Sequence, residues 1–236
     1  MKSRMRENRT SGSVRGSRQS LHNRNKVKGV SRLSTRLSAM CGRYSLSPQE
    51  SREIMDILRQ VQDKFKTGEV FPTDPVPVLM EVGAELAPEV MVWGYPGVGG
   101  KGRAIINARS ETALERPMFR QSVLGRRCVF PTTGFYEWGH GGGQKRKYRF
   151  QLPGPDRALY LAGLWNDYAG QRRCVILTTA ANGSMVEIHD RMPLVLRREQ
   201  VEEWVHNPQA AGELLHQIPP ELTHVETEAS QQLSLF

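Results

Sequence analysis

Four short polar clusters hold the residues of this chain whose types could do chemistry. They are Cys41-Gly42-Arg43, Asn107-Ala108-Arg109-Ser110-Glu111-Thr112, Gly134-Phe135-Tyr136-Glu137-Trp138 and His189-Asp190-Arg191-Met192-Pro193. Cys41 offers a thiol nucleophile, and Glu137 a carboxyl whose aromatic neighbours can desolvate it and raise its proton affinity. His189 can give or take a proton, and the Asn107 amide can both donate and accept hydrogen bonds. Arg43, Arg109 and Arg191 place one guanidinium in each of three clusters. Taken singly, each cluster also has a plain structural reading. Asn107 can cap a following helix with Glu111 in its first turn. Glu137 can be a solvated residue on an outer strand face, and His189 a turn residue bonded locally to Asp190.

The setting of Cys41 sharpens its chemistry. Residues 1–39 carry eleven Lys or Arg against one acid, Glu7, a net charge of +10 in a chain whose total is +9, so residues 40–236 sum to −1. The run Met40-Cys41-Gly42-Arg43-Tyr44 lies at that break and reads as a protein start rather than an interior. If Met40 is the initiator, its removal leaves Cys41 with a free α-amine beside its thiol. Residues 1–39 are then a basic, Ser/Arg-rich disordered extension or a mis-assigned start. A transit peptide would share their composition, but they lack amphipathic apolar spacing. Residues 40–225 read as one domain, with 226–236 as a flexible tail.

Ser47-Pro48-Gln49-Glu50 predicts a helix start with Ser47 as cap, Pro48 at the first position and Glu50 closing a capping box. Ile54, Leu58, Val61 and Phe65 continue at helical spacing, and Gly68 ends the element. Short β-rich runs follow at Val76–Met80, Glu89–Trp93, Arg127–Phe130, Tyr148–Leu152, Leu159–Leu164 and Cys174–Thr179. Gly139–Lys145 reads as a flexible hairpin loop. Short helices are expected at Ser110–Arg116 and at Arg198–His206, the latter with Val201, Trp204 and Val205 inward. This pattern implies an α+β fold: a single domain with a mostly antiparallel, barrel-like β core and peripheral helices.

No apolar run approaches the ~18 residues of a membrane span. Three cysteines are too few for a disulfide framework, no Cys-x-x-Cys or His cluster suggests a metal, and no cofactor is expected. Cys128 and Cys174 read as buried small hydrophobes. A reduced, cytoplasmic protein is the expectation.

Together and in order, Met-Cys-Gly-Arg, Ile-Asn-Ala-Arg-x-Glu-Thr, Gly-Phe-Tyr-Glu-Trp and His-Asp-Arg-Met-Pro resemble the SRAP proteins, the SOS response-associated peptidase or abasic-site processing family. The resemblance runs from residue 40 to about 205 and includes Trp93-Gly94-Tyr95, Leu161–Trp165 and Leu177–Ala181. The family's Tyr-Asn-x-Ala-Pro-Thr reads here as Gly68-Glu69-Val70-Phe71-Pro72-Thr73, so Glu69 stands where that Asn would be. The resemblance implies an abasic-site sensor that crosslinks itself to single-stranded DNA through N-terminal Cys41.

An abasic site exists partly as a ring-opened sugar aldehyde. A free α-amine, with pKa about 7.7–8.0, condenses with an aldehyde near neutrality, where a lysine near 10.4 is mostly protonated. Thiol closure onto the imine then gives a five-membered thiazolidine, a step made effectively intramolecular by proximity. An internal Cys41 has only a non-nucleophilic amide nitrogen. The resemblance further implies Glu137 as general acid/base, His189 as the proton donor that opens the sugar, and Asn107 as the residue orienting cysteine and sugar. Arg43, Arg109 and Arg191 would hold phosphates without reading sequence, with Pro72 and Trp93 also against the DNA. Trp93 has a reading as a core aromatic too, as do Trp165 and Trp204. Arg103, Arg126, Arg127, Arg172 and Arg173 are expected to extend a basic groove.

Two other classes remain open: a thiol (auto)peptidase with Cys41 as nucleophile and His189 as base, and a non-covalent single-stranded DNA binding module. The last five residues, Gln232-Leu233-Ser234-Leu235-Phe236, either dock on the domain's own core or resemble the pentapeptide by which bacterial repair proteins hold the replicative sliding clamp.

Overall fold

The computed structural model describes residues 41–97, 99, 102–141, 144–155 and 157–227. The readings of residues 1–39 and of the tail from 228 onward lie outside the described residues. Among the described residues, thirteen strands form two sheets. The first strands are β1 (Tyr44–Leu46), β2 (Gly68–Val70), β3 (Pro75–Val82), β4 (Glu85–Trp93) and β5 (Asn107–Arg109). The next are β6 (Arg127–Thr132), β7 (Gly134–Gly141), β8 (Gln144–Gln151), β9 (Leu159–Tyr168) and β10 (Gln171–Ala180). The chain ends on β11 (Arg191–Pro193), β12 (Val195–Leu196) and β13 (Thr223–Thr227). Four helices accompany them: α1 (Arg52–Leu58), α2 (Pro117–Gly125), α3 (Gln200–His206) and α4 (Pro208–Leu214).

Strands β4, β3, β6, β9 and β10 pair in a ring, because β10 joins β9 antiparallel on one side and β4 parallel on the other. That closes a small barrel and removes its edges. Where β4 leaves β10, β5 takes its place in parallel register, and β11 replaces β9 on the opposite side. The second sheet runs β13-β8-β7-β1-β2 and is antiparallel throughout.

Alternation along the barrel strands sorts their side chains into two cores. Cys128, Phe130, Leu159, Leu161, Cys174 and Ile176 point to one, which also holds Tyr44, Trp93, Phe135 and Phe150. Val129, Tyr160, Ala162, Leu164, Val175 and Leu177 point to the other, beneath Val201, Trp204 and Val205 of α3. Strands buried on both faces read as continuous apolar runs, which is why they were visible by composition and not by period-two alternation. Cys128 and Cys174 are fully buried, as expected.

The expected long helix from Ser47 is shorter. Pro48–Glu50 makes one 3-10 turn, and α1 starts on Ser51, whose side chain accepts from Ile54 N–H at 3.2 Å. Glu50 is drawn away from a capping box by Arg149 at 2.6 Å and Gln151 at 3.2 Å. Gly68 begins β2 instead of ending a helix. Ser110–Thr112 is likewise a 3-10 turn, and the helix there is α2, led by Pro117. The expected Gly139–Lys145 loop is a tighter hairpin in which Gly141 pairs with Gln144.

The crossing between sheets decides where Glu137 lies. β6 ends at Thr132 and β7 starts at Gly134, which has φ +156° and whose absent Cβ would stand 2.7 Å from the Phe150 carbonyl oxygen. Only glycine fits that approach. Gly134→Ala is expected to destabilise the fold by about 2–3 kcal/mol, read as a drop in chemical-denaturation midpoint at unchanged m-value.

Candidate functional site: a cysteine nitrogen held by a buried carboxylate

Glu137 sits in β7 between outward-facing Tyr136 and Trp138, and its own side chain turns inward, 3% exposed. Its Oε1 accepts a short hydrogen bond from the main-chain nitrogen of Cys41, ninety-six residues earlier. Cys41 is also buried, in the same core as Tyr44, Trp93 and Met192, and Ile106 and Ile188 pack against that core. Those two residues immediately precede Asn107 and His189, so all four sequence clusters border one apolar centre. Gly139 of β7 faces the His189 loop, where an added Cβ would stand 3.2 Å from the Ile188 side chain.

Burial pushes the Glu137 carboxyl up to about 7, against the opposing hydrogen bonds from the Cys41 and Trp138 main chains; Lys145 lowers it further and Asp190 raises it. Burial, and next the Glu137 charge, push the Cys41 thiol well above its ordinary value. A carboxyl near half-protonation beside a neutral thiol and a main-chain nitrogen is equipped to move protons between those two atoms. Cys41 adopts φ 42°, the left-handed region that non-glycine residues seldom occupy.

His189 is nearly enclosed, its side chain 13% exposed. Its Nδ1 accepts from the Arg191 main-chain N–H at 3.1 Å and lies 3.1 Å from Asp190 Oδ1. Asn107 lies half-buried in β5, opposite Ile176 of β10.

The three expected phosphate-binding arginines differ in setting. Arg109 is exposed at the end of β5. Arg43 lies between two rings, 4.3 Å from the Phe71 centroid and 4.9 Å from Trp138, and its Nη1 reaches Glu69 at 3.0 Å. Glu69, at the position of the family's Asn, also takes the buried Lys147, so this departure has become an ion-pair hub. Arg191 is engaged inside the protein, on both carboxylate oxygens of Glu111 and on the Thr178 carbonyl at 2.7 Å.

Trp93 corrects an expectation. It is fully buried, its indole N–H on the Ile106 carbonyl at 3.1 Å and its ring 5.3 Å from Tyr44, so it cannot stack on a base. The aromatic presented beside the site is Trp138, flanked by Arg43 and Lys145. Sequence reasoning passed it over although the period-two pattern of β7 sets it opposite Glu137. Arg127 leaves the expected basic groove: it is buried and donates to four main-chain carbonyls, of Val123, Leu124, Trp204 and Val205. Trp204 is core, as its alternative reading had it. Pro72 stands half-exposed in the turn Phe71–Asp74, where Thr73 takes φ 75° at a position glycine normally fills. No helix among the described residues is long and apolar enough to cross a membrane.

Residues 40–231 match the family described as SOS response associated peptidase (SRAP). The chain is 30% identical over 214 residues to the abasic site processing protein YoaM of Bacillus subtilis (strain 168), covering 83% of this chain and 92% of that protein. It is 31% identical over 186 residues to the abasic site processing protein YedK of Escherichia coli (strain K12), covering 70% and 79%. A crystal structure of a protein from Bordetella bronchiseptica superimposes with a TM-score of 0.68 at 20% identity, over 80% of this chain and all of that one, which shows the fold alone. The barrel, its appended sheet and the ordered motifs around Cys41 and Glu137 agree with the match over most of the sequence: the chain belongs to the SRAP family.

Proposed function

We propose that this protein senses abasic sites in single-stranded DNA and shields them by a thiazolidine crosslink through Cys41, working from a chain that begins at Cys41. The observation that carries this reading is the Cys41 nitrogen held on the buried Glu137 carboxylate. With residue 40 removed, that nitrogen is an amine. Its attack on the sugar aldehyde releases one water and forms an imine. Addition of Sγ to the imine carbon closes the ring, and the thiol proton ends on the ring nitrogen. Glu137 lies where it can carry that proton, since the neutral thiol must lose it for sulfur to add. His189 donates the proton that opens the sugar, and Asn107 orients sugar and cysteine. Arg43, Arg109 and Pro72 border the DNA path, with Trp138 in the stacking role first assigned to Trp93. A cytoplasmic, nucleoid-associated monomer acting during SOS-type repair fits this activity.

Protein starting at Cys41 is expected to give a denaturation-resistant adduct with abasic single-stranded oligonucleotide. The chain retaining residues 1–40, and Cys41→Ser with a free N-terminus, should give none, the latter still binding the DNA. Equal crosslinking by the extended chain sinks the reading. Hydrolysis of peptides without any DNA adduct would instead identify a thiol peptidase.

The same proposal places the protein near replicating DNA through Gln232, Leu233, Ser234, Leu235 and Phe236, a linear peptide for the replicative sliding clamp. Deleting residues 232–236 should abolish clamp binding in a titration and leave crosslinking on free oligonucleotides unchanged. A lower melting temperature on deletion, with no clamp binding by the intact chain, would mean that these residues dock on the domain itself.

A further inference from the structure

Arg191 belongs to a clasp that joins three elements. Its Nη1 and Nη2 meet Glu111 Oε1 and Oε2, the second at 2.9 Å, and Nη2 also donates to the Thr178 carbonyl at 2.7 Å. Thr178 lies in β10 opposite Arg109 of β5 on one side and Pro193 of β11 on the other, and its hydroxyl reaches the Ala108 carbonyl at 3.4 Å. Glu111 follows β5 directly, in the 3-10 turn Ser110–Thr112. The guanidinium therefore ties the strand bearing Asn107 to the strand that follows His189. Burial, the largest influence, would raise the Glu111 carboxyl, but the Arg191 hydrogen bond and charge together with main-chain hydrogen bonds from Glu111 and Ala180 hold the group below its ordinary value.

The other end of Arg191 touches the histidine. Its main-chain N–H points at His189 Nδ1 at 3.1 Å, so in the neutral ring Nδ1 must be the acceptor and Nε2 must carry the hydrogen. Asp190 Oδ1, 3.1 Å from the same nitrogen, favours the opposite arrangement, in which Nδ1 carries a hydrogen. Two partners thus compete for one ring nitrogen, and the fixed one is the N–H of a residue whose side chain is clamped.

We propose that Glu111 is a positioning residue which, by clamping Arg191, holds the Arg191 N–H on His189 Nδ1 and so keeps the ring in its Nε2–H tautomer. This rests on the reading of His189 as proton donor given above. With Glu111 gone, the guanidinium keeps only its Thr178 partners beside the main-chain pairing of β11, the side chain is no longer fixed from both sides, and Asp190 gains the Nδ1 hydrogen.

The test uses protein starting at Cys41, with the ring of His189 followed by nitrogen-15 NMR at a pH above the imidazole range and assigned against His189→Ala. Wild type should show the Nε2–H tautomer. Glu111→Ala should show a mixture with Nδ1–H, with crosslinking slowed about ten- to hundredfold and single-strand affinity kept within about threefold. Glu111→Asp, which preserves the charge, should recover most of the rate. An unchanged tautomer in Glu111→Ala overturns the proposal whatever the rate does, and so does a rate loss matched by an equal loss of affinity. If wild type forms no adduct but the tautomer shifts in Glu111→Ala, the crosslinking function fails and the clasp stands.

Discussion

Glu137→Gln is expected to slow adduct formation by about 10²- to 10⁴-fold, the span typical of losing a general acid/base, while single-strand affinity stays within a few-fold. Quench-flow sampling on denaturing gels, beside an equilibrium titration, separates the two. Parallel loss of binding would make Glu137 a structural residue. The same variant carries a stability signature, because burial raises the carboxyl to about 7 in the folded protein. In the unfolded chain it titrates near 4.3. Between those values the folded state holds a proton that the unfolded state has released, so this group makes stability fall as pH rises through the window. The loss is on the order of 3 kcal/mol for a wholly buried carboxyl. Glu137→Gln has no such group, so its advantage over wild type should be absent near pH ~4, grow as pH rises through the window, and be complete above pH ~7. That applies to the chain in which Cys41 N is an amide. An α-ammonium at Cys41 would favour the carboxylate and move the window to lower pH.

Arg127 is expected to give the largest loss of stability of any arginine in the barrel. Its guanidinium donates at 2.6 to 2.9 Å to the carbonyls of Trp204, Val205, Val123 and Leu124, the closing turns of α3 and α2. Arg127→Met leaves those carbonyls buried without donors, at a cost of about 3–5 kcal/mol. For a body of this size that lowers the melting temperature by roughly 10 °C, with the crosslinking rate at low temperature unchanged. A variant that melts like wild type but no longer binds DNA would return Arg127 to the basic groove.

These two residues also show how far the sequence could be read. Glu137 was legible because its neighbours Phe135, Tyr136 and Trp138 mark a strand with one buried face, and its link to Cys41 came from motif order. Arg127 was misplaced because charge alone cannot distinguish a groove cation from one that caps helices, and two of its four carbonyls lie seventy-seven and seventy-eight residues away. Barrel strands were visible as apolar runs, whereas their ring closure rests on the β10–β4 parallel pairing, which no local signal announces. The first helix was overextended since Val61 and Phe65 keep helical spacing, yet the chain turns after Leu58. Helices α2 and α4 were missed although Pro117 and Pro208 stand at their first positions. Trp93 is buried and Trp138 half-exposed: strand parity decides which ring faces water, and parity needs the register that only the assembled sheets supply.

The φ of 42° at Cys41 has one more consequence. That torsion is defined by the carbonyl carbon of residue 40, and it counts as left-handed only while that carbon is attached. A side-chain-bearing residue there costs about 1–2 kcal/mol. In a chain that opens at Cys41 the same rotation is merely the spin of an amine about its own bond and carries no steric penalty. If the chain opens at Cys41, trimming therefore relaxes the backbone at the very nitrogen that Glu137 holds.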